Sequence, residues 1–446
     1  MTSQAAQSKW RPYPQYKDSG VEWLGEIPAG WRTRRNGTLF MERDERGYPD
    51  LPLLNVSLHT GVDIREFSSN KIEQMAEDKS TYKRAKNGDV VFNKMRMWQG
   101  AVGVAPTDGL VSPDYTVAMP NKKVYSRYYG YLFRTSLYMT ETNRFSHGIV
   151  PDRNRLYWDQ FKQMGSIYPP LDEQFGVVSW LDRETAKIDA LIEKKRRLIG
   201  LLEEKRAAII SHAVTKGLDP DAPMKDSGVE WLGEIPARWN LLQLRRVINK
   251  FVDYRGSTPE KVPNGIPLIT AKNIKMNKID FELSQEFIRE EDYNSWMVRG
   301  LPEIGDVLVT TEAPLGESAQ IVDPNIALAQ RIILLKADKV RITNDYLKYH
   351  FASSSGKSEL WSRATGSTAL GIKASRFKET LLTVPPIKEQ QMITELLDRE
   401  TLRNYKLVSK INEQINKLQE YRTAMISAAV TGKIDVREVV KEGGIV

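Results

Sequence analysis

Two copies of one long helix pattern constrain this chain more than any other feature of its sequence. The first copy begins after Pro169–Pro170 and the second after Pro385–Pro386, 216 residues later. A prolyl pair suits a helix start, because the first turn leaves backbone N–H groups unpaired and proline has none to lose. The next strong stop signals are Gly217 and Gly432, so both copies predict helices of more than forty residues.

Apolar side chains in both copies recur at spacings of three and four, which predicts a coiled-coil seam. The predicted seam residues are Ile188, Leu191, Leu198, Leu202 and Ile209 in the first helix and Val408, Ile411, Ile415, Leu418 and Met425 in the second. A helix from Asp172 to Thr215 would extend roughly 65 Å, more than a compact domain needs. We therefore expect the two helices to pair with each other, the alternative being that each packs on its own domain.

A second repeat indicates that the chain consists of two related halves. The segment Lys17–Ala29 recurs without change as Lys225–Ala237, and a tryptophan follows each copy, Trp31 and Trp239. The segment combines an Asp-Ser-Gly turn with a few apolar anchors and matches no catalytic motif. We expect it to have a structural role, docking on equivalent surfaces in the two halves.

Between these repeats each half shows short β-like runs separated by turn residues, and an aromatic-rich helix. The runs of the first half include Leu51–Leu58, Asp89–Phe92, Ala101–Ala105 and Tyr115–Met119, followed by a predicted helix at Ser126–Thr140. The second half repeats this order, but Thr310–Glu317 stands where the first half has Asn93–Gly100, and the two loops share almost nothing. Similar scaffolds with unlike loops are what two separate binding specificities require.

Composition narrows the class of protein without identifying it. The chain has no cysteine, which excludes disulfides and thiolate metal sites, and its polar beginning and lack of long apolar runs predict a cytoplasmic protein without membrane segments. The net charge of +8 is compatible with a polyanionic partner and is a weak signal by itself.

No catalytic site emerges from the sequence. Ser355–Ser358 resembles the end of a phosphate loop, but Phe351 occupies the place of the leading glycine, and no Gly-x-Gly-x-x-Gly follows a strand. The prolyl pairs lack the flanking residues of an amino-methyltransferase motif. The four histidines lack metal-ligand spacing, so we expect no metal site and no enzyme activity in this chain.

The divergent loops are the candidates for nucleic-acid contact, because they combine base-edge donors, phosphate-binding hydroxyls and aromatic rings. In the first half the candidates are Lys94, Arg96, Trp98, Gln99, His147, Arg153 and Arg155. In the second half they are Tyr254, Arg255, Thr258, Lys272, Asn273, Arg331, Thr365, Ser367, Thr368 and Lys373. For any one of them, an ordinary surface or turn position is the alternative.

Taken together, the duplicated Lys-Asp-Ser-Gly-Val-Glu-Trp-Leu-Gly-Glu-Ile-Pro segment and the two Pro-Pro-Leu/Ile-x-Glu-Gln helices resemble the specificity subunits of type I restriction–modification systems. Gly305–Val309 and Thr365–Thr368 add to the resemblance, which covers nearly the whole chain.

The resemblance implies an α+β fold in which two α/β target recognition domains alternate with two long helices paired as an antiparallel coiled coil, with an internal pseudo-two-fold axis. The expected boundaries are residues 1–170 and 217–385 for the recognition domains, 171–216 and 386–432 for the spacer helices, and 433–446 for a tail. Each recognition domain would read one half of a split, asymmetric DNA target.

The resemblance also implies partners. Double-stranded DNA, two modification (methyltransferase) subunits and restriction (translocase/endonuclease) subunits would bind the chain. S-adenosylmethionine, ATP and Mg²⁺ would be used through those other subunits and not bound by this chain. Two alternatives stay open at this point: a coiled-coil assembly protein without DNA recognition, and a stand-alone nuclease or methyltransferase, which the missing motifs disfavour.

Overall fold

Both long helices form within a residue or two of the predicted ends, Leu171–Lys216 and Ile387–Val430. This computed structural model describes residues 10–65, 79–148, 154–256, 258–366 and 370–438. The described residues fall into two units. The first unit takes the residues up to Lys195 and those from Glu413 onward, and the second takes Arg196–Asn412. Each unit therefore contains a part of both long helices.

The repeated Glu-Gln at each helix start has a specific structural use. The Gln174 side chain accepts a hydrogen bond from the Tyr125 backbone N–H at 2.8 Å and donates one to the Pro169 carbonyl at 2.9 Å. Gln390 makes the matching pair of bonds in the second unit. These bonds satisfy buried backbone groups next to the helix start and fix the entry of the chain into each helix.

The helices carry a seam with strict four-three spacing, the period of a coiled coil. Its members in the first helix, all buried or half-buried, are Leu181, Thr185, Ile188, Ile192, Lys195, Ile199, Leu202, Arg206 and Ile209. The seam members in the second helix, also buried or half-buried, are Leu397, Thr401, Asn404, Val408, Ile411, Ile415, Leu418, Arg422 and Met425.

Two of the predicted seam residues were wrong. Leu191 and Leu198 are 42% and 45% exposed and lie outside the seam. The four-three spacing places the longer side chains of Lys195 and Arg206 in the seam, and each of these two leucines falls one position before a seam residue. The prediction favoured leucine for its apolar character, but the spacing decides.

Within each unit the two helices run antiparallel. In the first unit Arg422 pairs with Asp189 at 2.9 Å, and Lys195 donates to Gln414 at 2.6 Å, so residue numbers fall along one helix as they rise along the other. In the second unit the Asn404 side-chain amide donates to the Leu202 carbonyl at 2.8 Å, and Glu389 near the start of the second helix lies beside Gly217, just past the end of the first.

The first unit is built around a four-stranded antiparallel sheet. Its strands, in spatial order, are Phe40–Arg43, Tyr115–Pro120, Val90–Asn93 and Val102–Val104. Two-stranded pairings join Tyr16–Asp18 with Glu26–Pro28, Arg32–Arg35 with Gly165–Tyr168, Leu54–Ser57 with Gly61–Ile64, and Lys83–Ala85 with Gly109–Val111. Its shorter helices are Asn36–Leu39, Ser126–Leu132, Ser136–Phe145 and Trp158–Phe161.

The second unit repeats this plan. Its four-stranded sheet runs Ile248–Asp253, Ile332–Ala337, Val307–Thr310 and Ser318–Gln320. The remaining pairings join Met224–Asp226 with Glu234–Pro236, Asn240–Gln243 with Leu381–Val384, Ile274–Lys275 with Lys278–Ile279, and Ile266–Ile269 with both Phe287–Ile288 and Ala327–Leu328. Its shorter helices are Tyr293–Trp296, Asn344–Ala352, Ser354–Ser362 and Ala374–Lys378.

The duplicated segment forms a hairpin in each unit, and the tryptophan after it anchors the start of a long helix. Trp31 and Trp239 are fully buried. The indole of Trp31 donates to the Glu173 carboxylate at 2.9 Å, and that of Trp239 donates to Glu389 at 3.0 Å. The predicted structural role is confirmed, and these bonds explain why the glutamate recurs as well.

Each unit is closed by a tyrosine of its aromatic helix. Tyr128 donates to the Val430 carbonyl at 2.6 Å, and Tyr346 donates to the Val214 carbonyl at 3.2 Å. The predicted helix Ser126–Thr140 is in fact two helices, because Thr135 interrupts the first and caps the second through the Tyr138 N–H.

Among the described residues, no helix is long and apolar enough to cross a membrane.

Candidate nucleic-acid interface

The divergent loops of the first unit meet in one place, which we call loop cluster 1 and define as residues 93–100, 147–148 and 154–156. The Leu156 backbone N–H donates to the Lys94 carbonyl at 2.9 Å, which joins two of the segments. His147 and Arg155 exchange two backbone hydrogen bonds of 3.0 Å, which joins the third. Residues far apart in sequence are thus fixed beside each other.

The side chains of loop cluster 1 are unevenly exposed. Arg96 and Gln99 are exposed, as are His147 and Arg155, and Lys94 is half-buried with its Nζ 3.4 Å from the Pro113 carbonyl. Burial lowers the pKa of Lys94, because desolvation disfavours its charged form.

Trp98 is a candidate for DNA contact through its aromatic ring. Its indole N–H is already used, since it donates to the Met95 carbonyl at 2.9 Å, while the half-buried ring retains an accessible part. The buried Met97 beside it holds the turn against the core. The ring, and not the N–H, is the part of Trp98 that a base could contact.

The loops of the second unit assemble in the same way, in loop cluster 2, defined as residues 253–256, 258, 310–316, 329–331, 364–366 and 370–373. The Ile372 N–H donates to the Thr311 carbonyl at 3.0 Å, and Thr365 and Gly371 exchange backbone bonds of 2.8 and 3.0 Å. The Thr311 N–H donates to the Arg331 carbonyl at 2.9 Å, which brings in the segment before the next strand.

Side-chain contacts complete loop cluster 2. Arg255 is held by Asp253 at 2.7 Å and donates to the Ile372 carbonyl at 2.7 Å. Gln330 donates to the Thr258 hydroxyl at 2.9 Å. Arg255 therefore has a bracing role within the cluster, and its planar guanidinium ties two loops together.

The two clusters share a backbone framework. The bond from Leu156 to Lys94 matches the bond from Ile372 to Thr311, and the bridge between His147 and Arg155 matches the bridge between Thr365 and Gly371. The strand registers agree as well, since Asn93 pairs with Tyr115 where Thr310 pairs with Ile332.

At the matched positions the side chains are unlike. In the first unit the residues at five matched positions are, in order, Lys94, Met95, Asp114 (which adjoins loop cluster 1), His147 and Arg155. The second unit has, in the same order, Thr311, Glu312, Arg331, Thr365 and Gly371. Charge is reversed at one of these positions and removed or introduced at others. The shared framework thus carries two chemically different surfaces.

The structure contradicts two of the predicted contact residues. Tyr254 is 2% exposed, donates to the Gly300 carbonyl at 3.0 Å and stacks on Trp296. Asn273 is 1% exposed, and its side-chain amide is committed to the carbonyls of Asp280 and Ser284. Both are polar core residues, so their polar groups are not free for a ligand.

The remaining candidates that the structure describes lie at or near the clusters. Thr258, Thr365, Lys373 and Arg331 are exposed in loop cluster 2, whereas Lys272 is exposed on the neighbouring segment. Arg153, Ser367 and Thr368 lie outside the described residues.

Sequence reasoning missed Glu312 and Gln330, which lie within loop cluster 2. Glu312 is in the divergent loop that the comparison of the two halves singled out, so it could have been included. A carboxylate is not a usual phosphate contact, so a search for DNA-binding residue types does not select it.

No group of three or more His, Cys, Asp or Glu residues that could hold a metal ion occurs in the described part of the chain.

Known proteins are similar to this chain in sequence and in fold. Residues 246–417 match the family model of the type I restriction modification DNA specificity domain. The specificity subunit of the Methanocaldococcus jannaschii enzyme MjaVIII is 25% identical over 290 residues, 62% of this chain. That of the Escherichia coli enzyme EcoKI is 21% identical over 328 residues, 71% of this chain.

This chain is similar to the specificity subunits of type I restriction enzymes, and the family model covers less than half of it. The alignments span 64% and 68% of the lengths of these two relatives, about two thirds.

Two solved structures have the same fold. A chain described in work on the complex assembly and conformational transition of the type I system matches with a TM-score of 0.67 and 16% identity, over 91% of this chain and 98% of that one. The HsdS subunit of Thermoanaerobacter tengcongensis matches with a TM-score of 0.52, also at 16% identity, over 94% and 100%. At this identity the likeness concerns the fold alone, which is the predicted one.

Proposed function

We propose that this chain is the DNA-specificity subunit of a type I restriction–modification complex, in which loop cluster 1 reads one half of a split DNA target and loop cluster 2 reads the other. The observation that carries the proposal is the framework shared by the two clusters, which bears different side chains at matched positions. A pair of equal readers would give a symmetric target, whereas two unlike readers give an asymmetric one.

Exposed basic and polar side chains support the assignment of the clusters to DNA. Arg96 and Gln99 in the first cluster and Arg331 and Lys373 in the second are exposed. Arginine and lysine suit guanine edges, whereas glutamine suits adenine. The net charge of +8 favours association with a polyanion.

The long helices supply the docking surface for the modification subunits in this proposal. Their seam is covered within each unit, but several large apolar side chains lie outside it and are exposed. These are Phe175, Leu191, Leu198, Leu201, Met392, Leu402 and Leu407, each between 42% and 59% exposed. Apolar side chains so exposed on a helix suit contact with another protein.

The chemistry of the complex is assigned to other subunits. The chain would bind no cofactor itself, and S-adenosylmethionine, ATP and Mg²⁺ would act in the modification and restriction subunits. What this chain contributes is the choice of DNA sequence and a cytoplasmic scaffold for assembly.

Methylome sequencing of cells that express the chain with its cognate modification subunit tests the proposal. We expect methylation at one bipartite sequence. Replacing Lys94 and Arg96 by alanine should relax one half of that sequence only, and replacing Lys373 and Arg331 should relax the other half only.

Lys17→Ala and Lys225→Ala, in the structural hairpins, serve as matched controls that remove charge outside both clusters. If no bipartite sequence is methylated although the complex assembles, the chain is an assembly protein and the proposal is wrong. If both pairs of cluster variants relax the same half, the division between two readers is wrong.

A further inference from the structure

Arg331 is held in an unusual way at the centre of loop cluster 2. It has a backbone φ of +96°, a left-handed conformation that residues other than glycine rarely adopt. Its carbonyl accepts the Thr311 N–H at 2.9 Å, and the strand Ile332–Ala337 begins directly after it. The neighbouring framework therefore fixes the direction in which this side chain leaves the backbone.

The guanidinium of Arg331 is anchored by one end. Its Nε lies 3.0 Å from Oε2 of Glu312, while 59% of the Arg331 side chain is exposed. Within the described part of the chain, the guanidinium makes no hydrogen bond and no ion pair with a residue other than Glu312. A guanidinium anchored through Nε presents its two terminal nitrogens, Nη1 and Nη2, as a fork, the arrangement that matches two acceptors side by side.

Glu312 lies against Gly371 on one side. A Cβ atom on Gly371 would lie 2.9 Å from Cγ of Glu312, so the glycine leaves space for the Glu312 side chain in its present position. The two residues share loop cluster 2 through the bonds that join Thr311 to Arg331 and to Ile372. The backbone of the cluster thus places Glu312 beside Arg331.

We propose that Arg331 recognises a guanine in the half-site read by loop cluster 2, and that Glu312 is the positioning residue that orients it. The inference rests on the proposed function, which it deepens. The O6 and N7 acceptors of guanine in the major groove match the free fork of Arg331. A phosphate would place its negative charge next to the Glu312 carboxylate, which makes a base edge the better partner.

The first unit does not carry this device. At the matched positions it has Asp114 in place of Arg331 and Met95 in place of Glu312. The guanine recognised through this pair therefore belongs to one half of the target, and the other half is read by different side chains.

The test is selection of bound DNA from a duplex library in which the target region is randomised, using the complex of the full chain with its modification subunits. Wild type should enrich guanine at a fixed position of one half-site. Arg331→Lys keeps the charge and loses the fork, so the preference for guanine at that position should fall by roughly 10- to 100-fold, with the other half-site unchanged.

Variants of Glu312 separate positioning from mere stability. Glu312→Ala should weaken the preference for guanine while the melting temperature stays the same, because the ion pair is exposed. Glu312→Gln keeps an acceptor for Nε and should retain more of the preference. Lys339→Ala, which removes an exposed charge beyond the other end of the same strand, is the matched control.

The outcomes separate this inference from the proposed function. Absence of any enriched bipartite sequence for wild type sinks the proposed function. A bipartite sequence with the preference for guanine unchanged in Arg331→Lys overturns the inference alone. An equal loss of affinity for all sequences in that variant would also overturn it, since it would mean that Arg331 contacts phosphate.

Discussion

At the scale of single residues, His350 shows how burial controls charge in the second unit. It is 3% exposed, and its Nδ1 has no hydrogen-bond partner among the described residues. Burial lowers the pKa of His350 to about 4, because desolvation disfavours the imidazolium. The match of Tyr128 with Tyr346 places the fully buried Leu132 at the corresponding position of the first unit, so the site does not need a polar side chain.

The burial of His350 predicts how the stability of the second unit depends on pH. The folded pKa of His350 lies below the ordinary value of 6.5, so the unfolded chain takes up a proton first as the pH falls. The stability that the neutral His350 contributes is therefore fully present above about pH 6.5 and is lost as the pH falls towards 4. The free energy of unfolding falls by about 3 kcal/mol at most over this range. His350→Leu should remove this loss in the second unit, as measured by hydrogen exchange at neutral and acid pH.

Leu132→His is the matched control, because it should transfer the same acid sensitivity to the first unit. Equal acid sensitivity of the second unit in wild type and in His350→Leu would contradict the prediction.

The glutamates at the helix starts make a second residue-scale prediction. Glu389 accepts from Trp239, which is fully buried, and from Arg238 at 3.0 Å. Glu389→Ala leaves the buried indole N–H without its partner and should destabilise the second unit by about 1–3 kcal/mol. Glu173→Ala should do the same to the first unit, whereas Lys388→Ala, at an exposed neighbouring position, should have little effect in urea melts. Similar losses from all three variants would show that the carboxylate bond is not the cause.

At the scale of secondary structure elements, the seam of the long helices separates neighbouring residues sharply. Ile192 is 6% exposed and belongs to the seam, whereas Leu191 is 42% exposed and lies outside it. Ile192→Asp buries an unpaired charge and should cost several kcal/mol in stability. Leu191→Asp should change the free energy of unfolding by about 0.5 kcal/mol or less.

The two variants should also differ in assembly. Under the proposed docking on the helices, Leu191→Asp should fold normally and yet co-purify poorly with modification subunits. Equal stabilities for the two variants would show that the four-three seam does not hold the helices together.

These elements also show what the sequence could and could not predict. The long helices follow from local rules, because proline, glycine and a sustained apolar period mark their ends and faces. The spacing also marks Lys195 and Arg206 as polar interruptions of the seam, but it does not give their partners. Lys195 reaches Gln414, and Arg206 reaches Asn277 in the turn of the Ile274–Ile279 hairpin, contacts that only the fold creates.

The two loop clusters could be predicted only in part, because their grouping also depends on contacts that only the fold creates. The divergent loops were recognised by comparing the two halves, but their grouping depends on backbone bonds such as that between Lys94 and Leu156, which are far apart in sequence. Tyr254 and Asn273 have residue types that bind DNA, and their burial depends on packing that no local pattern reveals.

At the scale of the whole molecule, the proposed function makes the long helices a spacer, and lengthening both should alter the spacing of the DNA target. Seven residues inserted after Lys195 and seven after Asn412 keep the four-three seam, and these points lie at the borders between the units. The insertion adds roughly 10 Å of helix, which equals the length of about three base pairs of DNA. Over three base pairs the DNA helix itself turns by roughly 100°.

We expect methylome sequencing of this double insertion to return the same two half-sites with a changed spacer, and poor use of the parent site. An insertion in only one helix should break the pairing and abolish assembly. Full activity of the double insertion at the unchanged spacer would mean that the helices do not set the distance.

The division of the chain into units has a consequence for its synthesis. The second unit is continuous in sequence, Arg196–Asn412, whereas the first needs the residues from Glu413 onward. The bond from Tyr128 to Val430 and that from Tyr16 to Gly432 join the earliest part of the chain to the last. On the ribosome, the first unit therefore begins to be made before the second unit but is completed after it. Until the end of the second helix emerges, Ile188 and Ile192 lack their partners and are accessible to chaperones.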